Sequence, residues 1–296
     1  ADEMLAREKL DIVHIITPPD VRLSLMRAVS EAGVPLCTTE KPICIGVRDY
    51  KAIRDFAAHT PTRFGVSHQV GWNPNLLRCS QAARAGAIGE VSMLTMTCGM
   101  DITNQGTHCL HYGMLLIPEH VRVANVFGSA CGWDMGDIRH PAPRTTQATL
   151  QFDNGMMGLW ASGSNSPRYG DPSTTWQHIC VTAYGPKGRI YFREFKDWEI
   201  ASPDGVQRGD YGGMANFRVL NTVAQAGFHQ AMIDWHEGGA APSTNLARSL
   251  EEWRVVLALY QSAYAHEPVD MAGFEPDDDL CDRLFARLKA QERAAS

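Results

Sequence analysis

Residues 10–17 (LDIVHIIT) run almost without polar interruption and stop at Pro18-Pro19. A short β-branched run closed by turn residues predicts a strand buried on both faces, as in a parallel sheet. Past it the period changes. Leu23, Met26 and Val29 recur at helical spacing, and Gly33 stands where a helix C-cap belongs. Residues 34–38 read as a second strand, followed by Glu40-Lys41-Pro42. Val47, Tyr50, Ile53 and Ala57 mark one face of a second helix, and residues 63–67 a third strand. Strand, helix, strand, helix, strand is the alternation of a doubly wound α/β domain.

The pattern shifts near Trp72. Asn73-Pro74 supplies an N-cap and a first-turn proline for a helix that closes at Gly86. From Glu90 onward strands dominate. Runs 145–152 and 156–161 flank Asp153-Asn154-Gly155, and runs 179–184 and 189–192 flank Gly185-Pro186-Lys187-Gly188. Both read as hairpins, hence an antiparallel sheet. Helical stretches are expected over 215–237, 245–266 and 276–292, with Asp277-Asp278-Asp279 at the start of the last, where carboxylates complement the helix dipole. Two domains follow: residues 1–72, α/β, and residues 73–296, α+β with a large, mostly antiparallel open sheet.

Composition narrows the function classes. The 296 residues are 44% apolar and 20% charged, with a net charge of −6. No basic surplus points to nucleic acid or an anionic membrane, and the apolar runs are too short to span a bilayer. The eight cysteines, among them Cys37, Cys44, Cys79 and Cys281, are scattered with no Cys-x-x-Cys. They read as buried thiols of a cytoplasmic protein.

Three places can carry chemistry. Thr17-Pro18 ends the first strand, and ligands of open α/β sheets sit beyond the carboxyl ends of strands. The same turn also serves simply to stop a strand. Lys41 follows the second strand at the equivalent edge, where an ammonium can hold a hydroxyl oxygen or, with a lowered pKa, move its proton. Otherwise it is a surface lysine before a proline. The third place is Asn104-Gln105-Gly106-Thr107-His108 with His111 beyond. In a helix over 106–117, His108 and His111 share a face. His108 suits a proton acceptor that works near neutrality. The pair also suits a structural role, and no third metal ligand is placed by the sequence.

These segments resemble the Gfo/Idh/MocA oxidoreductases, the glucose–fructose oxidoreductase and inositol dehydrogenase group. The resemblance rests on DIVHIITPP, EAGVPLCTTEKP, GVSHQVGWNP, RAGAIGEV, NQGTHCLH, FDNGMMGLWAS, VTAYGPKGRIYF and the closing FHQAMIDWHEGGAAPSTNLARSLEEWRVVLALYQSA, in that order. It implies a Rossmann-type domain followed by an α+β domain whose open sheet makes homo-oligomer contacts. It also implies NAD or NADP as cofactor and a sugar or polyol substrate. Catalytic roles fall on Lys41, His108 and, at the family's aspartate position, Asn104. Thr17, Pro18, Glu40 and Lys41 fall beside the nicotinamide, and His111 and Gln69 at the substrate.

The chain departs from that pattern. An amide at Asn104 orients a hydroxyl but accepts no proton, so either a mechanism centred on His108 or lowered activity is expected. Gly71 stands where an arginine is usual. No Gly-x-Gly-x-x-Gly occurs, so the Rossmann sheet is expected to be incomplete, with its first βα units upstream of Ala1. Two other readings stay open: an NAD-assisted glycoside-cleaving enzyme, and a non-catalytic binding or assembly subunit. Of Trp133, Trp160, Trp176 and Trp198, one or two can stack on a sugar, and the core takes the rest.

Overall fold

A computed structural model describes residues 1–133, 140–169 and 174–295. Short α1 (Asp2–Arg7) precedes a parallel sheet of order β1-β2-β3, formed by Ile12–Ile15, Leu36–Thr39 and Arg63–Val66. Of the residues the helical spacing marks, helices α2 (Arg22–Glu31) and α3 (Val47–Ala57) bury Met26, Val29, Val47, Tyr50 and Ile53, while Leu23 and Ala57 are half-buried. Gly33 ends α2 with φ 72°, the left-handed geometry that only glycine adopts without strain. All four residues of β2 are buried. Leu36 packs with Phe228 and Met232, while Cys37 joins the main core. That two-sided burial explains why β2 needs no polar alternation.

The first strand departs from its expectation. It pairs only with β2, so its outer side lacks cover among the described residues. Ile15 is fully buried, Ile12 and Val13 are half-buried and each packs against a core cluster, and His14 is exposed. The run is as apolar as expected and meets a cluster on each face, but as a sheet edge it is only partly buried.

After α4 (Pro74–Arg84), capped by Asn73 Oδ1 accepting from the Asn75 amide at 2.9 Å, the second sheet has order β11-β10-β9-β8-β4-β7-β6-β5-β12. Its strands are β4 (Met93–Cys98), β5 (Val123–Trp133), β6 (Pro143–Phe152), β7 (Met157–Gly163), β8 (Ile179–Gly185), β9 (Gly188–Arg193), β10 (Asp197–Ser202), β11 (Gly205–Asp210) and β12 (Val269–Asp270). Neighbours are antiparallel except β4 and β7. Both expected hairpins form, β6–β7 and β8–β9, the latter closing as Gly185 pairs with Gly188. One face carries α5 (Thr107–Leu115) and α7 (Leu246–Ala265). The other leaves Phe127, Met157, Leu159 and Tyr184 exposed.

Helix α6 (Met214–His236) leaves the second sheet and returns to the first, packing Phe228 on Trp72 with ring centroids 5.4 Å apart. Next, α7 runs along β5, and α8 (Leu280–Ala295) closes the chain. The helix after Pro276 begins later than expected. Asp277 O accepts from the Leu280 amide, and Asp277 and Asp279 pair with Arg283, so the acidic run precedes the first turn as the dipole argument requires. At Gly128 a Cβ would stand 2.9 Å from Leu259 Cγ and 3.0 Å from Leu259 O. Gly128→Ala should therefore force β5 from α7 and cost about 1–3 kcal/mol in urea unfolding.

All eight cysteines are free thiols. Among the described residues no helix is long and apolar enough to cross a membrane, and no group of three or more His, Cys, Asp or Glu could hold a metal ion.

Candidate active site

Two turns of the small sheet are drawn together by one buried arginine. Arg22, 1% exposed, donates Nη2–H to Thr17 O at 2.6 Å and Nη1–H to Pro42 O. Burial lowers its pKa to about 10, against the pull of Cys44, Glu40 and Asp20, so it remains charged. The turns holding Thr17-Pro18 and Glu40-Lys41 thus lie side by side beyond the carboxyl ends of β1 and β2. Thr17 Oγ1 is buried there without a partner.

Lys41 extends from this edge toward the second sheet. Its Nζ donates to Asn104 O at 2.5 Å. Asn104 belongs to a π turn, Ile102–Gly106, that leads into α5. Wide turns of this kind are rare and concentrate at functional sites. Asp101 caps this one, accepting from the Thr103 and Asn104 amides at 2.9 and 3.0 Å and from Asn104 Nδ2 at 2.6 Å. The Asn104 side chain is therefore engaged with Asp101, and its main-chain carbonyl meets the lysine. Every residue of α5 is buried, including Thr107, His108, His111 and Tyr112. A helix buried all round that still carries polar side chains needs partners for them.

Those partners separate the two histidines. His108 Nδ1 lies 3.0 Å from His68 Nδ1, with the rings perpendicular. His111 turns the other way and binds Glu252 on α7 at 3.0 and 3.2 Å, with Arg248 3.4 Å beyond. His68 stacks on His111 with centroids 4.9 Å apart. A Cβ on Gly71 would meet His111 Nε2 at 3.4 Å, so residue 71 abuts this cluster.

A cavity of about 310 Å³ opens between the small sheet and the π turn. It is lined by Lys41, Gln69, Asn104 and His108, together with Tyr112, Trp176 and Glu194. Four residues singled out in the sequence thus meet at one hollow. His111 lines a different one, of about 220 Å³, with Arg248 and Glu252. The expected placement of His111 at the substrate fails: it shares the helix face of His108 and both rings touch His68, but Glu252 of α7 holds the His111 ring toward the second hollow. Trp133, Trp160 and Trp198 are core residues, whereas Trp176 is 42% exposed and borders the cavity.

Glu194, which the sequence reading missed, follows β9 and is 4% exposed, with Oε2 unpartnered. Burial pushes its carboxyl up to about 8, with Lys41 pulling it back. Burial also lowers the Lys41 pKa, opposed by Glu40 and Asp101. His108 is held well below 6.5 by burial, the Lys41 charge and His111, in that order. At neutrality the cavity therefore offers a neutral imidazole and a largely protonated carboxyl beside the Lys41 amine, whose charged form burial disfavours.

The raised carboxyl has a consequence for stability. Between pH 4.5 and about 8 the folded chain keeps a proton on Glu194 that the unfolded chain releases, so stability falls as pH rises through that window. Glu194→Gln removes this loss. Its urea-unfolding advantage over the parent chain should grow with pH to on the order of 5 kcal/mol above pH 8.

No family profile and no curated protein matches the chain. Solved structures do. An oxidoreductase from Agrobacterium radiobacter, in complex with NAD+, L-tartaric acid and magnesium, superposes with TM-score 0.74 at 18% identity over 92% of this chain and 83% of its own. An inositol dehydrogenase homologue from Azotobacter vinelandii, complexed with NADH and myo-inositol, gives 0.72 at 18% over 91% and 80%. An NAD-binding oxidoreductase from Klebsiella pneumoniae gives 0.73 at 15% over 91% and 82%. The chain has the fold of these oxidoreductases: a Rossmann-like parallel sheet followed by an α+β part with a large mixed sheet.

Proposed function

We propose that this chain belongs to an NAD(P)-dependent oxidoreductase of the Gfo/Idh/MocA type. It moves hydride between a secondary alcohol of a sugar, glycoside or cyclitol and a nicotinamide. The observation that carries the reading is the shared cavity: Lys41 from the small sheet and His108 from α5 border one hollow between the two sheets. Alcohol oxidation needs a proton acceptor and a cation for the developing alkoxide. His108, uncharged at neutrality, takes the hydroxyl proton, and Lys41 holds the oxygen. Asn104 fixes the ammonium through its carbonyl. Gln69 at the mouth, and the Glu194 carboxyl as a donor, bind further hydroxyls, and Trp176 offers a face for the ring. Uncharged polyols suit this lining.

The residues at the strand ends fit the nicotinamide end of the cofactor. Thr17 Oγ1 is buried and unsatisfied there, and Pro18, Glu40 and Lys41 surround the same edge. A nicotinamide bound at that edge supplies the hydride acceptor. The pyrophosphate end is less well provided, because the chain has no Gly-x-Gly-x-x-Gly to bring a phosphate to a helix N-terminus. Calorimetric titration of this chain should accordingly give a Kd for NAD or NADP weaker than about 1 µM. A tighter value contradicts that part of the account. The exposed apolar residues of the open sheet, Phe127, Met157 and Leu159 among them, suit a homo-oligomer contact there.

The function is tested by following nicotinamide reduction with inositols, aldoses and glycosides at cofactor concentrations raised to saturation. At least one polyol should reduce the cofactor. Loss of glycoside without net reduction would instead favour the cleaving enzyme.

A further inference from the structure

His108 makes one hydrogen bond among the described residues, and its partner is another histidine. The two Nδ1 atoms lie 3.0 Å apart at perpendicular rings, so one must carry the proton and the other the lone pair. The choice matters at the opposite side of the ring. With the proton on His108 Nδ1, its Nε2 holds a lone pair and can take a proton from a substrate hydroxyl. With the proton on His68 Nδ1, His108 Nε2 is already protonated and cannot. The carboxylates that could have settled this are engaged elsewhere: Asp101 by Thr103 and Asn104, Glu252 by His111.

We infer that His68 is the positioning residue for His108, accepting its Nδ1–H and thereby keeping Nε2 free to act as the base. This rests on the reading of His108 as proton acceptor. As His108 becomes an imidazolium, its Nδ1–H bond to the neutral His68 turns charge-assisted and so strengthens as the proton moves. His68 is 3% exposed and held from behind. Its ring lies flat on His111, which Glu252 fixes through Nδ1. A neutral partner also sets the charge balance. The groups facing the pair are Lys41, His111 and Tyr112, and burial with the Lys41 charge keeps both rings uncharged at neutrality. A carboxylate partner would have raised the base instead, so the acid limb of kcat/KM should lie well below pH 6.5.

Two substitutions test the role. His68→Phe keeps a ring on His111 but removes the acceptor; His68→Gln keeps an oxygen that can accept. His68→Phe should lower kcat about 100-fold or more with KM within about threefold, and His68→Gln should recover all but about tenfold. The second readout needs no substrate. In 15N-imidazole spectra, assigned through His108→Gln, resting His108 should be Nδ1-protonated in the parent and in His68→Gln, and a tautomer mixture in His68→Phe. An Nε2-protonated His108 in the parent, or an unchanged tautomer in His68→Phe, overturns the inference whatever the activity. The expected tautomers in a chain that transfers no hydride to any cofactor leave the pair standing and refute the dehydrogenase reading alone.

Discussion

Lys41→Met should lower turnover about a thousandfold or more and leave the fold intact. Among the described residues that line the cavity, Lys41 is the one lysine or arginine; on the proposed reading it receives the developing alkoxide, and stabilisation of charge that appears only in the transition state contributes several kcal/mol. Methionine retains the length of the side chain and removes only the charge and the bond to Asn104 O. Burial already opposes the charged form of Lys41, so its loss should cost the folded state little. The diagnostic outcome is a large fall in kcat with a urea midpoint within experimental error of the parent. Turnover within threefold of the parent would remove Lys41 from the chemistry.

His108→Asn should have the second large effect, a fall in kcat of roughly 100- to 10,000-fold, the range that positioned acid–base groups supply. The pH profile gives the sharper reading. His108 titrates well below 6.5, so the parent keeps its base form through neutrality, and kcat/KM drops only once the pH is low enough to protonate the ring. The same depression acts on stability. Below pH 6.5 the unfolded chain takes up protons at His68 and His108 that the folded chain refuses, so stability is lost as pH falls. His108→Asn should flatten both curves. An acid limb that survives unchanged in the variant would assign it to another group.

Much of the frame was legible because periodicity reports burial directly. The spacing of Leu23, Met26 and Val29 and that of Val47, Tyr50 and Ile53 marked helices that do form, and Asp153-Asn154-Gly155 marked a hairpin that does close. The first strand was misread in burial because apolarity alone does not say whether a neighbour covers the outer side. Strands β10 and β11 left little trace, since β11 is an almost wholly exposed edge and β10 breaks the alternation by burying Trp198, Glu199 and Ile200 in succession.

The site was legible only in part, for a related reason. Lys41 stood at the carboxyl end of a strand, where the strand-end rule applies, whereas Asn104 stood before a helix and drew its role from the resemblance. His68 also stood at such an end, after β3, and the same rule could have found it. Glu194 and Glu252 gave no comparable signal. Their burial follows from what packs on them, as His111 shows by turning to α7 because a carboxylate on a distant helix meets it there.

Tracking a deuterium from the alcohol carbon tests the central claim most directly. With a C-deuterated polyol at saturating cofactor, the account predicts deuterium on the reduced nicotinamide, slower turnover than with the protiated polyol, and loss of both on Lys41→Met and His108→Asn. Polyol or glycoside consumed with no deuterium on the nicotinamide, or label transfer that persists undiminished in both variants, would contradict it.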